Sequence, residues 1–175
     1  EHSLVWAFLQ NPKCKEIHCI PGNAGIEKIA ICKDLNILNN REIVSYCKSN
    51  KIDFVVVGPE APLANGLIDI LIKNKILCFG PTKEAALLES SKSFTKSICD
   101  KRNIPTANYV LANSKKEALG FIEKFKPPFV IKLDGLAAGK GVFISKNKSE
   151  AIKSINDIYG IRNNHNTILI EEFLK

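Results

Sequence analysis

Between residues 129 and 144, two short apolar segments flank a loop that contains three glycines. The β-branched and aromatic residues of both segments are typical of strands, and Gly135, Gly139 and Gly141 permit a sharply turned backbone between them. Lys132 places an ammonium group at the end of the first segment. The pattern predicts a strand-loop-strand flap whose backbone amides bind an anion such as a phosphate group. A flexible hairpin without a ligand is the alternative, because short motifs of this kind also occur by chance.

The loop is not a Walker A phosphate-binding loop. In that motif four residues separate two glycines, and a Lys-Ser or Lys-Thr pair follows the second glycine between a strand and a helix. Here only three residues separate Gly135 from Gly139, and Gly141 stands where the hydroxyl residue after Lys140 would be. A strand-like segment follows instead of a helix. A P-loop nucleotide-binding protein is therefore excluded.

The first half of the chain alternates strand-like and helix-like segments. Residues 17–20, 54–57 and 76–79 are mainly apolar, and each segment is followed by a turn with glycine and proline. The near-continuous apolar run at 54–57 predicts a strand buried on both faces of a sheet. Apolar positions between 63 and 71 have the spacing of one amphipathic helix. Strands that alternate with helices of this length predict an α/β fold with a parallel sheet.

Polar and small residues in these three turns are candidate ligand contacts, because ligands of parallel sheets bind beyond the carboxyl ends of the strands. The candidates are Asn23, Gly25, Gly58, Glu60 and Thr82. The alternative is that glycine and proline only end the strands.

The pattern changes near residue 90. Ser91 is a candidate cap for a helix that ends before Ile104 and Pro105, and Ser114 with Glu117 forms a capping box for a later helix. We therefore predict three parts: a Rossmann-like parallel-sheet domain at 1–90, a connecting helix and linker at 91–106, and a small α+β flap subdomain at 107–175.

Two further features carry chemistry. Lys96 lies in the predicted connecting helix, where exposure to solvent is the default and contact with a phosphate is the alternative. Residues 171–174 follow a strand-like segment. A chain that leaves a strand beside a nucleotide pocket can offer backbone groups to an adenine edge while Phe173 and Leu174 pack on the ring. An ordinary strand end is the alternative.

Composition limits the functional classes. The formal net charge of +7 suits an anionic partner, either nucleic acid or a phosphorylated small molecule. The lysines are spread along the chain and aromatic residues do not alternate with them, which disfavours nucleic acid. The six cysteines form no C-x-x-C pair, so we expect no zinc site and free thiols in the cytoplasm. No signal peptide or membrane-spanning segment is evident, and the absence of methionine suggests a trimmed fragment.

In order along the chain, these segments resemble the phosphoribosylamine-glycine ligase family of the ATP-grasp superfamily. The matching segments are 1–2, 21–25, 57–63, 79–82, 91–92, 94–96, 104–107, 130–132, 134–142 and 170–174. The loop at 134–142 is the most specific of them, because biotin carboxylase-like relatives have a flap richer in glycine.

The resemblance implies an ATP-dependent carbon-nitrogen ligase of purine biosynthesis. Such an enzyme phosphorylates the carboxylate of glycine, and the amine of phosphoribosylamine attacks the acyl phosphate to give glycinamide ribonucleotide, ADP and phosphate. The implied nucleotide-binding residues are Lys96, Lys132, Asp134, Gly135, Leu136, Ala137, Ala138, Gly139, Lys140, Gly141, Val142, Glu171, Glu172, Phe173 and Leu174. The implied substrate-binding residues are Asn23, Gly25, Gly58, Pro59, Glu60 and Thr82.

The chain also departs from the family pattern. The family's first strand and a Gly-Gly-Arg turn would precede Glu1, and its ligands for magnesium or manganese would follow Leu174. We therefore expect a monomeric fragment that is inactive alone, with no metal ligand and no assigned catalytic residue. Leu133 stands where a smaller residue is usual. A non-catalytic phosphate- or nucleic-acid-binding module, or another ATP-grasp purine ligase or carboxylase, remains the alternative.

Overall fold

The computed structural model describes residues 1–137, 139–161 and 167–174. The nucleotide contact predicted at Ala138 lies outside this described part of the chain. The chain divides into two compact units, 1–86 and 87–175, and each contains its own clusters of buried apolar side chains. None of the helices in the described part has the length and apolar character needed to cross a membrane.

Short strands and helices alternate in the first unit. Strands β1 to β4 are His18–Cys19, Ile31–Cys32, Phe54–Val56 and Leu77–Phe79. Helices α1 to α4 are His2–Leu9, Asn40–Ser49, Glu60–Ala64 and Leu67–Lys73, and a 3-10 helix covers Ile26–Lys28. β1 pairs with β2 and β3 pairs with β4, and both pairs are parallel. The predicted parallel arrangement is thus present as two separate two-stranded sheets.

The largest core of the first unit lies between the helices and one face of the β3–β4 sheet. The Asn39 side chain accepts a hydrogen bond from the Glu42 N–H and caps α2. The buried members of this core are Ile43, Val44, Cys47, Val57, Leu63, Leu67, Ile68, Leu71 and Ala86. The core fixes β3 and β4 side by side, so that the turns after both strands leave the sheet at the same edge.

Two predictions for this unit are wrong. The 54–57 segment is not buried on both faces. Val55 packs on the core, whereas Phe54 on the other face is 53% exposed. Successive side chains of a strand point to opposite faces, and the described residues cover only one face of this strand. The single helix predicted between 63 and 71 is two helices. Gly66 separates them with a φ of 81°, a left-handed conformation that a continuous helix does not tolerate.

The second unit contains an antiparallel sheet with helices. Helices α5 to α8 are Leu87–Ser90, Lys92–Arg102, Lys115–Ile122 and Lys148–Ile161. Strands β5 to β8 are Tyr109–Ala112, Phe129–Leu133, Val142–Ser145 and Ile168–Glu172. The strand order is β5-β8-β6-β7, and every neighbouring pair is antiparallel. The glycine loop joins β6 to β7, which confirms the predicted strand-loop-strand hairpin.

Local capping places the helices of this unit. The Ser91 hydroxyl accepts from the Phe94 N–H at the start of α6, and the Ser114 hydroxyl accepts from the Glu117 N–H at the start of α7. Both caps agree with the sequence prediction. The Glu117 carboxylate accepts from the N–H of Asn113, one residue before the position expected for a capping box.

The two faces of the sheet differ in chemistry. The face toward α7 and α8 is apolar and forms a core with these helices. The buried residues of this core are Ala112, Ala118, Ile122, Phe129, Ile131, Ala151, Ile155, Ile158, Tyr159, Ile168 and Ile170. The side chains that alternate with Ile131 and Ile170 belong to Lys132 and Glu171, so the pleat directs them to the opposite face. The apolar core therefore determines where these two charged groups lie.

Candidate functional site

Three charged side chains from three elements meet on the polar face of the sheet in the second unit. The Lys96 Nζ of α6 lies 2.6 Å from Glu171 Oε1, and the Lys132 Nζ of β6 contacts Glu171 Oε2. In the β6–β8 pair Glu171 lies opposite Val130, so Lys132 is its diagonal neighbour on the same face. The sheet register thus brings one lysine to the carboxylate, and α6 brings the other.

The three side chains of this Lys96–Glu171–Lys132 group differ in their exposure to solvent. The side chain of Glu171 is 3% exposed and that of Lys96 is 10% exposed, whereas that of Lys132 is 31% exposed. Charges are removed from water only when they are paired. One carboxylate faces two ammonium groups, so the group carries a formal net charge of +1, and its accessible part is Lys132. The arrangement can accept a further anion at Lys132.

Lys96 has additional partners that hold its position. Its Nζ donates to the Thr106 hydroxyl at 2.6 Å and to the Ala107 carbonyl at 3.0 Å. It also lies 4.9 Å from the centroid of the Tyr109 ring, a cation-π contact. The default expectation of a solvent-exposed Lys96 is therefore wrong, because the tertiary structure supplies a carboxylate and two oxygen acceptors that the helix alone does not reveal.

Tyr109 forms the outer part of this polar group. Its hydroxyl donates to Asp100 Oδ2 at 2.6 Å. This hydrogen bond, together with burial and the negative charge of Asp100, raises the pKa of Tyr109 to about 12. The phenol is consequently neutral near pH 7 and presents the electron-rich face of its ring to Lys96.

Each glycine of the loop has a structural reason to be glycine. Gly135 and Gly139 have φ values of 93° and 76°, which are strained for any residue with a side chain. A Cβ on Gly141 would lie 2.5 Å from the Ala137 Cβ. The Leu133 N–H donates to the Gly141 carbonyl at 2.8 Å and closes the hairpin below the loop. The loop therefore begins directly after β6, the strand that carries Lys132.

Asp134 lies at the start of α6 and bonds to it. Its carboxylate accepts hydrogen bonds from the N-terminal turn of α6, where the Lys92 N–H donates to Oδ1 at 2.6 Å and the Ser93 hydroxyl donates to Oδ2 at 2.5 Å. Burial favours the neutral acid, but the bonds from the Ser93 hydroxyl and from the Ser93, Lys92 and Gly135 N–H groups lower the pKa of Asp134 below its ordinary value. Sequence reasoning missed Ser93, although it lies in the segment that Ser91 caps.

The last two residues of β8, Glu171 and Glu172, have different surroundings. Glu171 is buried, whereas the Glu172 carboxylate lies at the surface and accepts from the Asn108 N–H at 2.9 Å and from its side-chain amide at 3.0 Å. Both bonds lower the pKa of Glu172. Phe173 and Leu174 follow with exposed apolar side chains. Sequence analysis proposed one role for all four residues, and the structure gives the two glutamates different partners.

The candidate residues of the first unit lie in turns at strand ends. Because β3 and β4 are parallel, the turn at 58–60 and Thr82 leave the sheet at the same edge. Pro59 precedes the first residue of α3, Glu60. The turn at 21–25 follows β1 in the other sheet, and the Asn23 side-chain oxygen accepts from the N–H groups of Gly25 and Ile26. No group of three or more His, Cys, Asp or Glu side chains suited to a metal ion occurs among the described residues of either unit.

Comparison with known proteins places a family boundary close to the boundary between the two compact units. Residues 1–89 match the family described as phosphoribosylglycinamide synthetase, N domain, and residues 90–175 match phosphoribosylglycinamide synthetase, ATP-grasp (A) domain. The phosphoribosylamine--glycine ligase of Rhizobium meliloti is 43% identical over 159 residues, which are 91% of this chain and 38% of that protein.

Two solved structures illustrate the likeness in fold. The phosphoribosylamine--glycine ligase of Thermotoga maritima superposes with a TM-score of 0.76 at 33% identity, over 99% of this chain and 41% of that chain. The biotin carboxylase domain of a 2-oxoglutarate carboxylase from Hydrogenobacter thermophilus, in complex with MgADP, superposes with a TM-score of 0.74 at 18% identity, over 99% of this chain and 42% of that chain. The second likeness concerns the fold alone. This chain spans less than half the length of each of these proteins.

Proposed function

Because this chain belongs to the phosphoribosylglycinamide synthetase family, we propose that it is part of an ATP-dependent ligase that joins glycine to 5-phosphoribosylamine. The products would be glycinamide ribonucleotide, ADP and phosphate, a step of purine biosynthesis. The observation that carries the proposal is the Lys96–Glu171–Lys132 group, which has an excess positive charge and includes a lysine of β6, the strand that leads into the glycine loop.

The second unit would bind ATP. Lys132, which is the accessible ammonium of the group, would contact the phosphates, and Lys96 would support the same charge from α6. The N–H groups of the glycine loop would cover the phosphate chain, since fixed main-chain donors suit an anion. Phe173 and Leu174 would pack against the adenine ring, and their exposed apolar side chains fit this role.

The proposed reaction requires positive groups near the phosphoryl group that is transferred. ATP supplies a phosphoryl group that turns the glycine carboxylate into a mixed anhydride, and the phosphoribosylamine nitrogen then displaces phosphate. Lys132 and the loop amides would offset the negative charge that develops on the transferred group, which is the main task in phosphoryl transfer. No described residue of this chain is proposed as an acid or base in the reaction.

The remaining partners would bind elsewhere. We place the ribose-phosphate substrate at the turns of the first unit, at Asn23, Gly25, Gly58, Pro59, Glu60 and Thr82. Magnesium or manganese would be held by residues of the longer protein outside this chain. The six free cysteines fit a reducing compartment such as the cytoplasm, and we expect the protein to act there as a monomer on small molecules.

The test uses the longer protein that contains this chain. It is incubated with ATP, magnesium, glycine and freshly generated phosphoribosylamine, and ADP and the nucleotide product are measured. We expect glycinamide ribonucleotide only when all four are present, and no ADP above background from the 175-residue chain alone. ADP release that requires a different acid or amine would instead assign another ATP-grasp ligase or carboxylase.

Lys132 provides a direct test of the nucleotide site. A hydrogen bond to a charged group contributes about 1.5–3 kcal/mol, so Lys132→Ala should weaken ATP binding by about tenfold or more. Isothermal titration calorimetry on the longer protein measures the affinity. Lys153→Ala, which removes an exposed lysine of α8, is the matched control and should bind ATP like the wild type. Equal affinity of Lys132→Ala and this control would contradict the site.

A further inference from the structure

The carboxylate of Asp134 receives five hydrogen bonds from within the chain. Besides the Lys92 N–H and the Ser93 hydroxyl, the Ser93 N–H donates to Oδ1 at 3.3 Å, the Ser91 hydroxyl to Oδ2 at 3.4 Å, and the Gly135 N–H to Oδ1 at 3.0 Å. A carboxylate offers about four lone-pair sites. The acceptor capacity of Asp134 is therefore used within the protein.

The location of these donors explains the arrangement. Four of them come from Ser91, Lys92 and Ser93, the N-cap and the first turn of α6, and the fifth is the N–H of the adjacent Gly135. At a helix N-terminus the main-chain N–H groups have no partner within the helix, and the helix dipole favours a negative charge. The α6 helix has 11 residues, and its N-terminus is already neutralised by Asp134. A second anion such as a phosphate would meet a negative charge there and few free donors.

A second contact joins the same two segments. The Lys92 Nζ donates to the Gly135 carbonyl at 2.8 Å, so the first glycine of the loop is held by α6 through its carbonyl and through Asp134. The Asp134 N–H also donates to the Thr167 carbonyl at 3.0 Å. The beginning of the glycine loop is thus attached both to the start of α6 and to the residue before β8.

The same helix carries Lys96, one turn after Ser93. Lys96 is fixed to β8 through Glu171, so α6 is attached to the sheet at two points, at Asp134 and at Glu171. A shift of the first attachment would move the loop entrance relative to Lys96 and Lys132. The distance between the loop amides and the ammonium groups of Lys96 and Lys132 therefore depends on both attachments, the one at Asp134 and the one at Glu171.

We propose that Asp134 is a positioning residue that fixes the start of the glycine loop to α6, and that it is not a nucleotide ligand. Its function is to set the loop at a constant distance from Lys96 and Lys132, so that all of them meet one phosphate chain. Only one part of this proposal rests on the proposed function, namely that the ligand is a nucleotide. The attachment itself is a property of the chain without nucleotide.

The first experiment measures the attachment by amide hydrogen exchange on the chain without nucleotide. The informative amides are those of Leu133 and Asp134, which bond to Gly141 and Thr167 and not to the Asp134 carboxylate. We expect Asp134→Asn to speed their exchange about tenfold or more, Ser93→Ala to have a smaller effect in the same direction, and the double variant to resemble Asp134→Asn. Asp157→Asn, an exposed site on α8, is the matched control. Unchanged exchange at both amides would overturn the proposal.

The second experiment measures MgATP affinity of the longer protein by calorimetry. A positioning role predicts that Asp134→Asn and Ser93→Ala both weaken binding, that their effects are not additive, and that Ser93→Thr, which keeps the hydroxyl, restores affinity. Weaker binding in Asp134→Asn with wild-type affinity in Ser93→Ala would overturn it in favour of direct ligation. If the wild-type protein binds no ATP, the proposed function fails, and the exchange measurement still decides the role of Asp134.

Discussion

Glu171 shows how one residue can organise a site without containing its reactive atoms. A buried carboxylate between two lysines costs solvation free energy, and the pairing offsets this cost only while all three charges remain in place. Lys96 depends on it more than Lys132 does, because Lys96 is buried whereas Lys132 reaches solvent. The exposed ion pair between Lys148 and Glu123 offers a comparison within the same unit.

Replacement of Glu171 by glutamine should therefore destabilise the second unit strongly. Removal of one partner from a buried ion pair leaves the other charge without compensation, which costs about 3–5 kcal/mol. Glu123→Gln breaks the exposed pair and should cost about 0–1 kcal/mol. Urea unfolding of both variants measures the free energies of unfolding. Similar values for the two variants would mean that Lys96 finds another partner or reaches water.

At the level of elements, the β6–β7 hairpin combines a rigid start with a loop built from glycines. Asp134 and Gly135 are attached to α6, while Cβ atoms added at Gly135 or Gly139 would meet no atom within 4 Å. Chain entropy lost when such a loop becomes ordered must be offset by new contacts. We expect the amides of residues 136, 137 and 139–141 to exchange rapidly without nucleotide and slowly with ATP bound.

Gly139→Ala tests this behaviour. Alanine at a left-handed position costs about 1–2 kcal/mol, so the variant should order its loop less readily and bind ATP about tenfold more weakly in the longer protein. Gly120→Ala is the matched control, since Gly120 lies in helix α7 with open space around it. That change should leave ATP affinity unaltered and stabilise the protein by about 0.5–1 kcal/mol. Equal ATP affinity of both variants would indicate a loop that does not close on the nucleotide.

At the level of the whole molecule, the two units have separate apolar cores. Leu71 is fully buried in the first unit, and Ile155 is fully buried in the second. The candidate substrate turns belong to one unit and the candidate nucleotide site to the other. Substitutions in one core should therefore affect the candidate residues of the same unit first.

Leu71→Ala and Ile155→Ala form a matched pair for this expectation. Each creates a cavity and should cost about 2–5 kcal/mol. Hydrogen exchange should rise in α2 and α4 for the first variant, and in β6 and β8 for the second, with little change in the other unit. Loss of protection in both units from either substitution would show that the chain unfolds as one cooperative body.

Sequence alone determined several of the elements and the family. The glycine loop between two strands and the caps at Ser91 and Ser114 follow from local preferences that act over a few residues. The ordered set of short segments was specific enough to indicate the family that the comparisons show. Predictions failed where the surroundings decide, as for Phe54, whose burial depends on what covers the sheet, and for the helix interrupted at Gly66.

Only the tertiary structure decided how the charged residues are used. Nothing in the local sequence indicates that Lys96 bonds to Glu171, or that the carboxylate of Asp134 caps α6, because these partners are far apart in the chain and meet only after the sheet register and the packing of α6 are set. Local propensity fixes which residues form a strand or a helix. Side-chain pairing across elements depends on the balance between burial and compensation of charge in the folded chain, and that balance exists only in three dimensions.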